Sequence, residues 1–109
     1  MVNLLKPDKS LRNGFKDPKR LAAIHDLPCS LSYLKGWKQS TPTEAHHKHG
    51  GGMGRKSSDL LTMSLAREHH TSGKNAFHKI GRVAFEELHN CTQDDLIKIT
   101  NKLLEYAGD

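Results

Sequence analysis

Residues 42–72 read PTEAHHKHGGGMGRKSSDLLTMSLAREHHTS, and the order of residue types in this stretch decides the fold. A strand is predicted over 42–49, after a proline, and a second short apolar strand over 60–65. Four of the five residues at 50–54 are glycine, so the connection between the strands is flexible or tightly turned. Strand, glycine-rich turn and strand predict a β-hairpin with a long tip.

Helices are predicted on both sides of the hairpin. Asp17-Pro18 marks a helix start, because Asp accepts hydrogen bonds from the first turn and Pro suits the first helical position. That helix is expected over 18–26. Residues 29–41 are predicted to form a short strand or loop with a turn at Gly36.

After the hairpin, residues 66–72 are predicted to start a helix that Gly73 interrupts. Residues 76–90 are expected to continue as one helix, because apolar residues recur every three or four positions. Thr92 is expected to cap a last helix over 93–107. The apolar stripes predicted to face the core are Ile80, Val83, Ala84 and Leu88 on the first helix, and Leu96, Ile99, Leu103 and Tyr106 on the last.

The composition predicts one small domain with a thin core. The chain has 109 residues, of which 35% are hydrophobic, and its eight histidines outnumber Phe (3), Tyr (2) and Trp (1) combined. A domain this short buries a modest fraction of its surface, so a bound metal would supplement the core. We expect an irregular N-terminal arm over 1–16 and a single domain over 17–109.

Charge and hydropathy narrow the function classes. The formal net charge is +5, and the basic arm reads either as a solvated tail or as a segment that lies along a phosphate backbone. No apolar run approaches the roughly 20 residues of a membrane helix, and the N-terminus lacks a signal-peptide pattern. Two cysteines are too few for a disulfide scaffold. We therefore expect a soluble cytoplasmic protein that does not bind a membrane.

Five histidines carry the strongest chemical signal: His46, His47, His69, His70 and His78. His46 and His47 are adjacent on the first predicted strand. Side chains of neighbouring strand residues point to opposite faces, so these two histidines need different roles. On an unbroken helix His78 would lie about 12 Å beyond His70, so Gly73 must bend the chain before both can bind one ion. Imidazole is a common ligand for Zn, Ni, Cu and Fe. The other three histidines, His25, His49 and His89, are interpreted as surface or packing residues.

The order of these residues resembles phage-encoded HNH endonucleases, in particular small phage domains related to the Ref-type, RecA-dependent recombination nucleases. The resemblance covers about residues 28–88. It rests on the following motifs: His46-His47-x-x-Gly50, Gly52-Met53-Gly54-Arg55-Lys56-x-Ser58-Asp59, Leu65-x-x-x-His69-His70 and His78-x-x-Gly81-x-x-x-Phe85-Glu86.

The resemblance implies an α+β fold with a small ββα-metal (His-Me finger) core at about 42–88 and additional flanking α-helices. It implies a DNA endonuclease of phage or prophage origin, linked to recombination or DNA processing in the bacterial host cytoplasm, with a RecA-type recombinase as a possible partner. His46, His70 and His78 would bind one divalent ion, with Zn expected and Mg or Mn as alternative catalytic ions. His47 would be the general base. Asp59 lies near the place of the family's central Asn, so it would orient the loop or the base.

This chain departs from the family at a structural zinc site. Many relatives carry a Cys-x-x-Cys before the first strand and a later Cys, whereas here Ser32 and Ala66 stand at two of those positions. Cys29 and His69 could supply two ligands, but a tetrahedral zinc needs four, and Cys91 lies far downstream. We expect that the structural zinc is lost and that His69 is free to pack or to contact phosphate.

Basic residues flank the implied catalytic positions and are candidates for binding phosphates that are not cleaved. Each could instead be ordinary surface charge. The candidates are Lys48, Arg55, Lys56, Arg67 and Lys74. The competing functional hypothesis is a non-enzymatic, metal-stabilised module that binds DNA or a recombinase. No long recognition helix rich in Arg, Asn and Gln is present, so contacts to the DNA backbone are expected.

Overall fold

A computed structural model of the protein describes residues 14–49 and 57–108. Within these ranges the elements are α1 (Pro18–Ile24), α2 (Ser30–Lys35), β1 (Thr43–His47), β2 (Thr62–Ala66), α3 (Arg67–His70), α4 (Phe77–Ile80), α5 (Arg82–His89) and α6 (Gln93–Gly108). They form a small mixed α/β domain around a two-stranded antiparallel sheet. Most of the predicted arm, residues 1–13, and most of the glycine-rich connection, residues 50–56, lie outside the described residues.

The two predicted strands pair antiparallel, with His46 opposite Met63 and His47 opposite Thr62. Every residue of β2 is buried, whereas in β1 only Thr43 and His46 are buried and the other three residues are half-buried. The short apolar run of β2 is typical of a strand covered on both faces. The sheet therefore holds the two adjacent histidines of β1 in fixed and different surroundings.

The prediction of a strand or loop over 29–41 is wrong for its first part, which forms α2. Cys29 caps this helix, since its Sγ accepts a hydrogen bond from the backbone N–H of Ser32 at 3.4 Å. Gly36 ends the helix in the left-handed region at φ +72°. Cysteine is not among the preferred N-cap residues, and six residues are too few to display a helical period.

The prediction of one helix over 76–90 is also wrong, because Gly81 separates α4 from α5 at φ +85°. The break changes the helical phase. Val83 and Leu88, which were expected to face the core, are 56% and 54% exposed. Phe77 and Phe85 are buried instead, with ring centroids 5.1 Å apart.

The core has one main apolar cluster and a smaller one. The main cluster joins α2, β2, α4, α5 and α6 and contains Cys29, Leu31, Met63, Leu65, Ala66, Phe77, Phe85, Cys91, Leu96 and Ile97. The smaller one contains Ile24, Leu27 and Leu103. On α6, Tyr106 is exposed rather than buried as predicted.

Two further helix predictions agree with the structure to within two residues. Asp17 caps α1, because its side chain accepts a hydrogen bond from Arg20 N. Thr92 and Asp95 cap the start of α6, since each side chain accepts a hydrogen bond from the backbone N–H of the other. Among the described residues no helix is long and apolar enough to cross a membrane.

Candidate functional site

Three of the predicted metal ligands come together at one end of the hairpin. One ring nitrogen from each of His46, His70 and His78 lies within 4.8 Å of the other two. The Nε2 atoms of His70 and His78 are 3.0 Å apart. The three side chains are therefore close enough to bind one metal ion, and they are the three that the resemblance implied as ligands.

A close backbone approach at Gly73 brings His70 and His78 to the same place. A Cβ atom at Gly73 would lie 2.0 Å from the backbone oxygen of Glu68, so only glycine fits there. The chain ends α3 at His70, bends, and starts α4 at Phe77. The predicted bend between the two histidines is confirmed.

His46 is the buried member of the three. The residue is 2% exposed, its ring packs on Phe77 at a centroid distance of 4.3 Å, and its Nε2 atom has no hydrogen-bond partner among the described residues. Burial, together with the neighbouring His70 and His78, lowers the pKa of His46 to about 3. The ring is therefore neutral at neutral pH, and a neutral imidazole nitrogen is a metal ligand.

Glu44 orients His70. Its carboxylate lies 3.0 Å from Nδ1 of His70 and accepts a second hydrogen bond from Nε of Arg67 at 3.1 Å. Burial alone would raise the pKa of Glu44, but the hydrogen bonds from His70 and Arg67 lower it below its usual value. A proton held on Nδ1 by this carboxylate leaves the Nε2 lone pair of His70 free for an ion.

The third imidazole, His78, is on the exposed side of the cluster. Its pKa is lowered by burial and by the neighbouring His70 and His49. Three ring nitrogens that converge in this way fit a divalent cation, because an imidazole in its neutral form offers a lone pair to a metal ion. Three protein ligands with an exposed side are typical of a catalytic rather than a structural metal site.

His47, the neighbour of His46 on β1, lies outside the cluster and is hydrogen bonded to Asp59. Its Nε2 lies 2.7 Å from Oδ1 of Asp59, and Oδ2 of Asp59 accepts a hydrogen bond from the backbone N–H of Asp17 at 2.7 Å. Burial would raise the pKa of Asp59, but the bonds from Asp17 and His47 lower it. Asp59 is thus an ionised acceptor that can hold His47 as its Nε2–H tautomer.

The basic candidates differ in their surroundings. Lys48 pairs with Asp94 at 2.9 Å, and Arg67 is bound to Glu44. Lys74 is exposed. The remaining two, Arg55 and Lys56, lie outside the described residues. Arg67 therefore contacts the carboxylate that also contacts His70, a role that differs from the phosphate binding predicted for it.

Sequence reasoning missed three residues at this site: Glu44, His49 and Gln93. A signal for Glu44 was available, because residues two apart on a strand share a face and Glu44 is two residues before His46. His49 is exposed, and its ring packs near those of Phe77 and His78 at centroid distances of 5.8 and 6.2 Å, which agrees with its interpretation as a surface or packing residue but places it beside the site. Nothing in the local sequence links Gln93 to the site, since it approaches from α6.

The first histidine of the other pair, His69, packs away from this cluster. Its ring contacts Trp37 and His89 at centroid distances of 5.7 and 6.2 Å. Burial lowers the pKa of His69 and of His89. Both Cys29 and Cys91 are buried free thiols. Of the two roles left open for His69, the packing role matches these contacts, and the rings of Trp37 and His89 surround it.

The three comparisons with known proteins add no relative. No protein-family model, no curated protein and no solved structure matches this chain. The functional argument therefore rests on the residues of this chain and on their geometry.

Proposed function

We propose that this protein is a metal-dependent endonuclease that hydrolyses phosphodiester bonds of DNA, with a ββα-metal core like that of HNH endonucleases. The observation that carries the proposal is the different use of two adjacent histidines on β1. His46 belongs to the three-imidazole cluster, and His47 is hydrogen bonded to Asp59. A ligand and a base on neighbouring residues supply the two components that hydrolysis of a phosphodiester requires.

The three-imidazole cluster would hold one divalent ion. A shell of nitrogen ligands favours Zn, whereas Mg and Mn prefer oxygen ligands and would depend on water and phosphate oxygens. When bound, the ion stabilises the negative charge that grows on the phosphoryl oxygens and on the leaving oxygen. His46 and His70 would fix the ion from the buried side, and exposed His78 would complete its protein ligands.

His47 would take the proton of the attacking water. With Nε2–H donated to Asp59, the lone pair is on Nδ1, which would act as the base. The carboxylate of Asp59 would stabilise the imidazolium that forms, and its bond from Asp17 N keeps it in place. General-base catalysis of this kind contributes roughly 10²- to 10⁴-fold to a rate.

Nucleic acid is the substrate class that the charge of the chain favours. The net charge is +5, and contacts to phosphates position a protein on DNA without reading sequence. Beside the cluster, an open depression of about 350 Å³ is lined by Lys48, His49 and Arg82 together with acidic and polar residues. We propose that Lys48 and Lys74, with Arg55 and Lys56 in the glycine-rich connection, contact phosphates on either side of the scissile bond.

The direct test is cleavage of supercoiled, linear, single-stranded and branched DNA in the presence of Zn²⁺, Mg²⁺, Mn²⁺ or Ni²⁺. The parent protein is expected to cut at least one substrate. His47→Ala is expected to lose cleavage while it keeps metal binding and DNA binding. His25→Ala is the matched control, because His25 is an exposed histidine outside the cluster, with its Nδ1 3.0 Å from the Thr43 oxygen. Equal cleavage by His47→Ala and the parent would refute the mechanism.

One observation favours a second candidate function. The His47–Asp59 pair also joins β1 to the segment before α1, through the bond from Asp17 N to Asp59. The pair could therefore stabilise the fold of a non-enzymatic, metal-stabilised module that binds DNA or a recombinase. This alternative predicts metal-dependent melting and DNA binding with no cleavage under any metal.

A further inference from the structure

Trp37, the single tryptophan of the chain, lies on the surface just after α2. Tryptophan is highly buried on average, yet Trp37 is 46% exposed. Two lysines, Lys35 and Lys38, lie on either side of it in the sequence and are also exposed. Trp37 therefore presents an aromatic surface to solvent between two cations.

The end of α2 fixes the backbone at Trp37. Gly36 is in the left-handed region at φ +72°, and its N–H donates to the Tyr33 oxygen at 3.4 Å. The N–H of Trp37 donates to the Ser32 oxygen at 2.9 Å. These two bonds form the Schellman motif, in which a helix ends at a left-handed glycine. The indole therefore starts from a defined backbone position.

Two imidazoles support the indole on its protein side. The ring centroid of Trp37 lies 5.7 Å from that of His69 on α3 and 5.8 Å from that of His89 on α5. Aromatic pairs that are tilted or edge-on attract each other at centroid distances of about 4.5–7 Å. These contacts order the side chain before a ligand binds, so less conformational entropy is lost on binding.

The short helix α3 joins the indole to the three-imidazole cluster. His69 contacts Trp37, and the next residue, His70, belongs to the cluster. The segment after Trp37 is bound to the same helix, because the backbone N–H of Glu68 donates to Oγ1 of Thr41 at 3.0 Å. A helix of four residues is only about 6 Å long. The indole and the cluster are therefore within reach of one bound DNA strand.

We propose that Trp37 is a stacking platform for an unpaired base of single-stranded DNA, and that Lys35 and Lys38 contact the phosphates beside that base. The inference rests on the proposed function and names its substrate class as DNA with an unpaired strand. Every base has a π-face, so stacking on an indole tolerates any sequence. In a duplex the neighbouring pairs cover both faces of each base, so a base must first be extruded.

Charge favours a nucleic acid over a second copy of the chain at this surface. Both residues that flank the indole are lysines, and the net charge of the chain is +5. Two copies that met here would bring like charges together, which is unfavourable, whereas a DNA strand carries a negative charge at every phosphate. Self-association through Trp37 would therefore contradict the proposed role.

The first test uses the intrinsic fluorescence of the parent protein, in which Trp37 is the one tryptophan. The probes are a thymidine oligonucleotide and an oligonucleotide of equal length in which abasic sites replace the bases. A chelator is present so that no strand is cut. The thymidine oligonucleotide is expected to quench the indole, because a stacked base contacts its ring. The abasic oligonucleotide carries the same phosphates and is expected to leave the fluorescence unchanged.

The second test compares two substitutions that keep an apolar side chain. Trp37→Phe keeps an aromatic ring, whereas Trp37→Leu removes the π-face. In fluorescence anisotropy with a labelled thymidine oligonucleotide, Trp37→Leu is expected to bind about 5- to 150-fold more weakly than the parent, and Trp37→Phe to lose much less. Both variants are expected to match the parent on duplex DNA. Tyr106→Leu is the matched control, because Tyr106 is an exposed aromatic residue on α6, and it is expected to leave both affinities unchanged.

Equal affinity of Trp37→Leu and the parent for the thymidine oligonucleotide would overturn the inference, as would equal quenching by the two oligonucleotides. A dimer in sedimentation velocity that Trp37→Leu abolishes would also overturn it. If Trp37→Leu shows no cooperative thermal melt, the quenching of the parent decides alone. These measurements need no metal. Absence of cleavage under any metal would refute the proposed function, whereas the stacking of a base on Trp37 is decided by its own readouts.

Discussion

Asp59 accepts two hydrogen bonds from opposite sides: His47 Nε2 lies 2.7 Å from its Oδ1, and Asp17 N lies 2.7 Å from its Oδ2. Only an ionised carboxylate can accept both bonds with equal strength. The second bond prevents the carboxylate from turning away, so the orientation of His47 depends on a residue that precedes α1.

Asp59→Asn is expected to abolish most of the cleavage activity while it leaves the fold intact. The carboxamide can still accept from Asp17 N, but its NH₂ then faces His47 and forces the lone pair of that ring onto Nε2. The base nitrogen would be lost, and the rate is expected to fall about 10²- to 10⁴-fold. The measurement is the cleavage rate at saturating metal, together with Zn²⁺ affinity.

Asp26→Asn is the control for Asp59→Asn, because Asp26 is an exposed carboxylate just after α1. It is expected to match the parent in both measurements. A Zn²⁺ affinity that falls in Asp59→Asn together with the rate would show that the pair supports the metal site and is not a separate base.

Local sequence signals were sufficient for the elements that are short and strongly marked. Asp17-Pro18 predicted α1, and the apolar run at 60–65 predicted β2. Local signals failed where a tertiary contact or a single backbone angle determines the secondary structure. Gly81 has no local signal that distinguishes a helix break at φ +85° from a tolerated helical glycine, and this one angle determines which face of residues 82–89 is buried.

The histidine pairs predicted a metal site and the resemblance selected His46, His70 and His78 as its ligands, whereas the polar groups around these ligands were not predicted. Glu44, which is hydrogen bonded to His70, and Gln93, which is hydrogen bonded to the backbone of His49, are ordinary polar residues. Gln93 reaches this end of β1 because α6 packs against β2. Contacts between residues 44 positions apart in sequence, such as the one between His49 and Gln93, leave no local pattern.

Gly73→Ala is expected to separate the ligands. The new Cβ would lie 2.0 Å from the backbone oxygen of Glu68, so the backbone between α3 and α4 must move. Zn²⁺ binding is expected to be lost, and the free energy of unfolding to fall by about 1–3 kcal/mol. Gly108→Ala is the control, because a Cβ there would meet nothing within 4 Å. Unchanged Zn²⁺ affinity in Gly73→Ala would contradict the account of the bend.

The break at Gly81 predicts which residues of α5 matter for stability. Phe85→Ala is expected to lower the free energy of unfolding by about 3–5 kcal/mol, because it removes a buried ring from the main cluster. Val83→Ala is expected to change it by less than about 0.5 kcal/mol, since Val83 is exposed. Urea denaturation measures both. The reverse ranking would indicate one continuous helix with the apolar stripe that the sequence alone predicted.

Stability of the metal-free protein is expected to fall as the pH is lowered below about 6.5. The pKa of His46 is about 3 in the fold, because of its burial, and about 6.5 in the unfolded chain. Between these values the unfolded chain binds a proton that the folded one does not, so acid favours unfolding. By this linkage His46 alone would lower the free energy of unfolding by about 2 kcal/mol between pH 6.5 and pH 5.

Zn²⁺ is expected to raise the free energy of unfolding, and to do so only at pH values at which the imidazoles are neutral. An ion at 100 times its dissociation constant stabilises the fold by about 2.7 kcal/mol, and protons compete with it for the same nitrogens. Thermal melting at pH 7.5 and pH 5, with Zn²⁺ or with a chelator, measures both effects. His46→Gln is expected to flatten the pH dependence of the metal-free protein and to abolish the rise in Tm with Zn²⁺. A rise of equal size in His46→Gln would place the bound ion elsewhere than the three histidines.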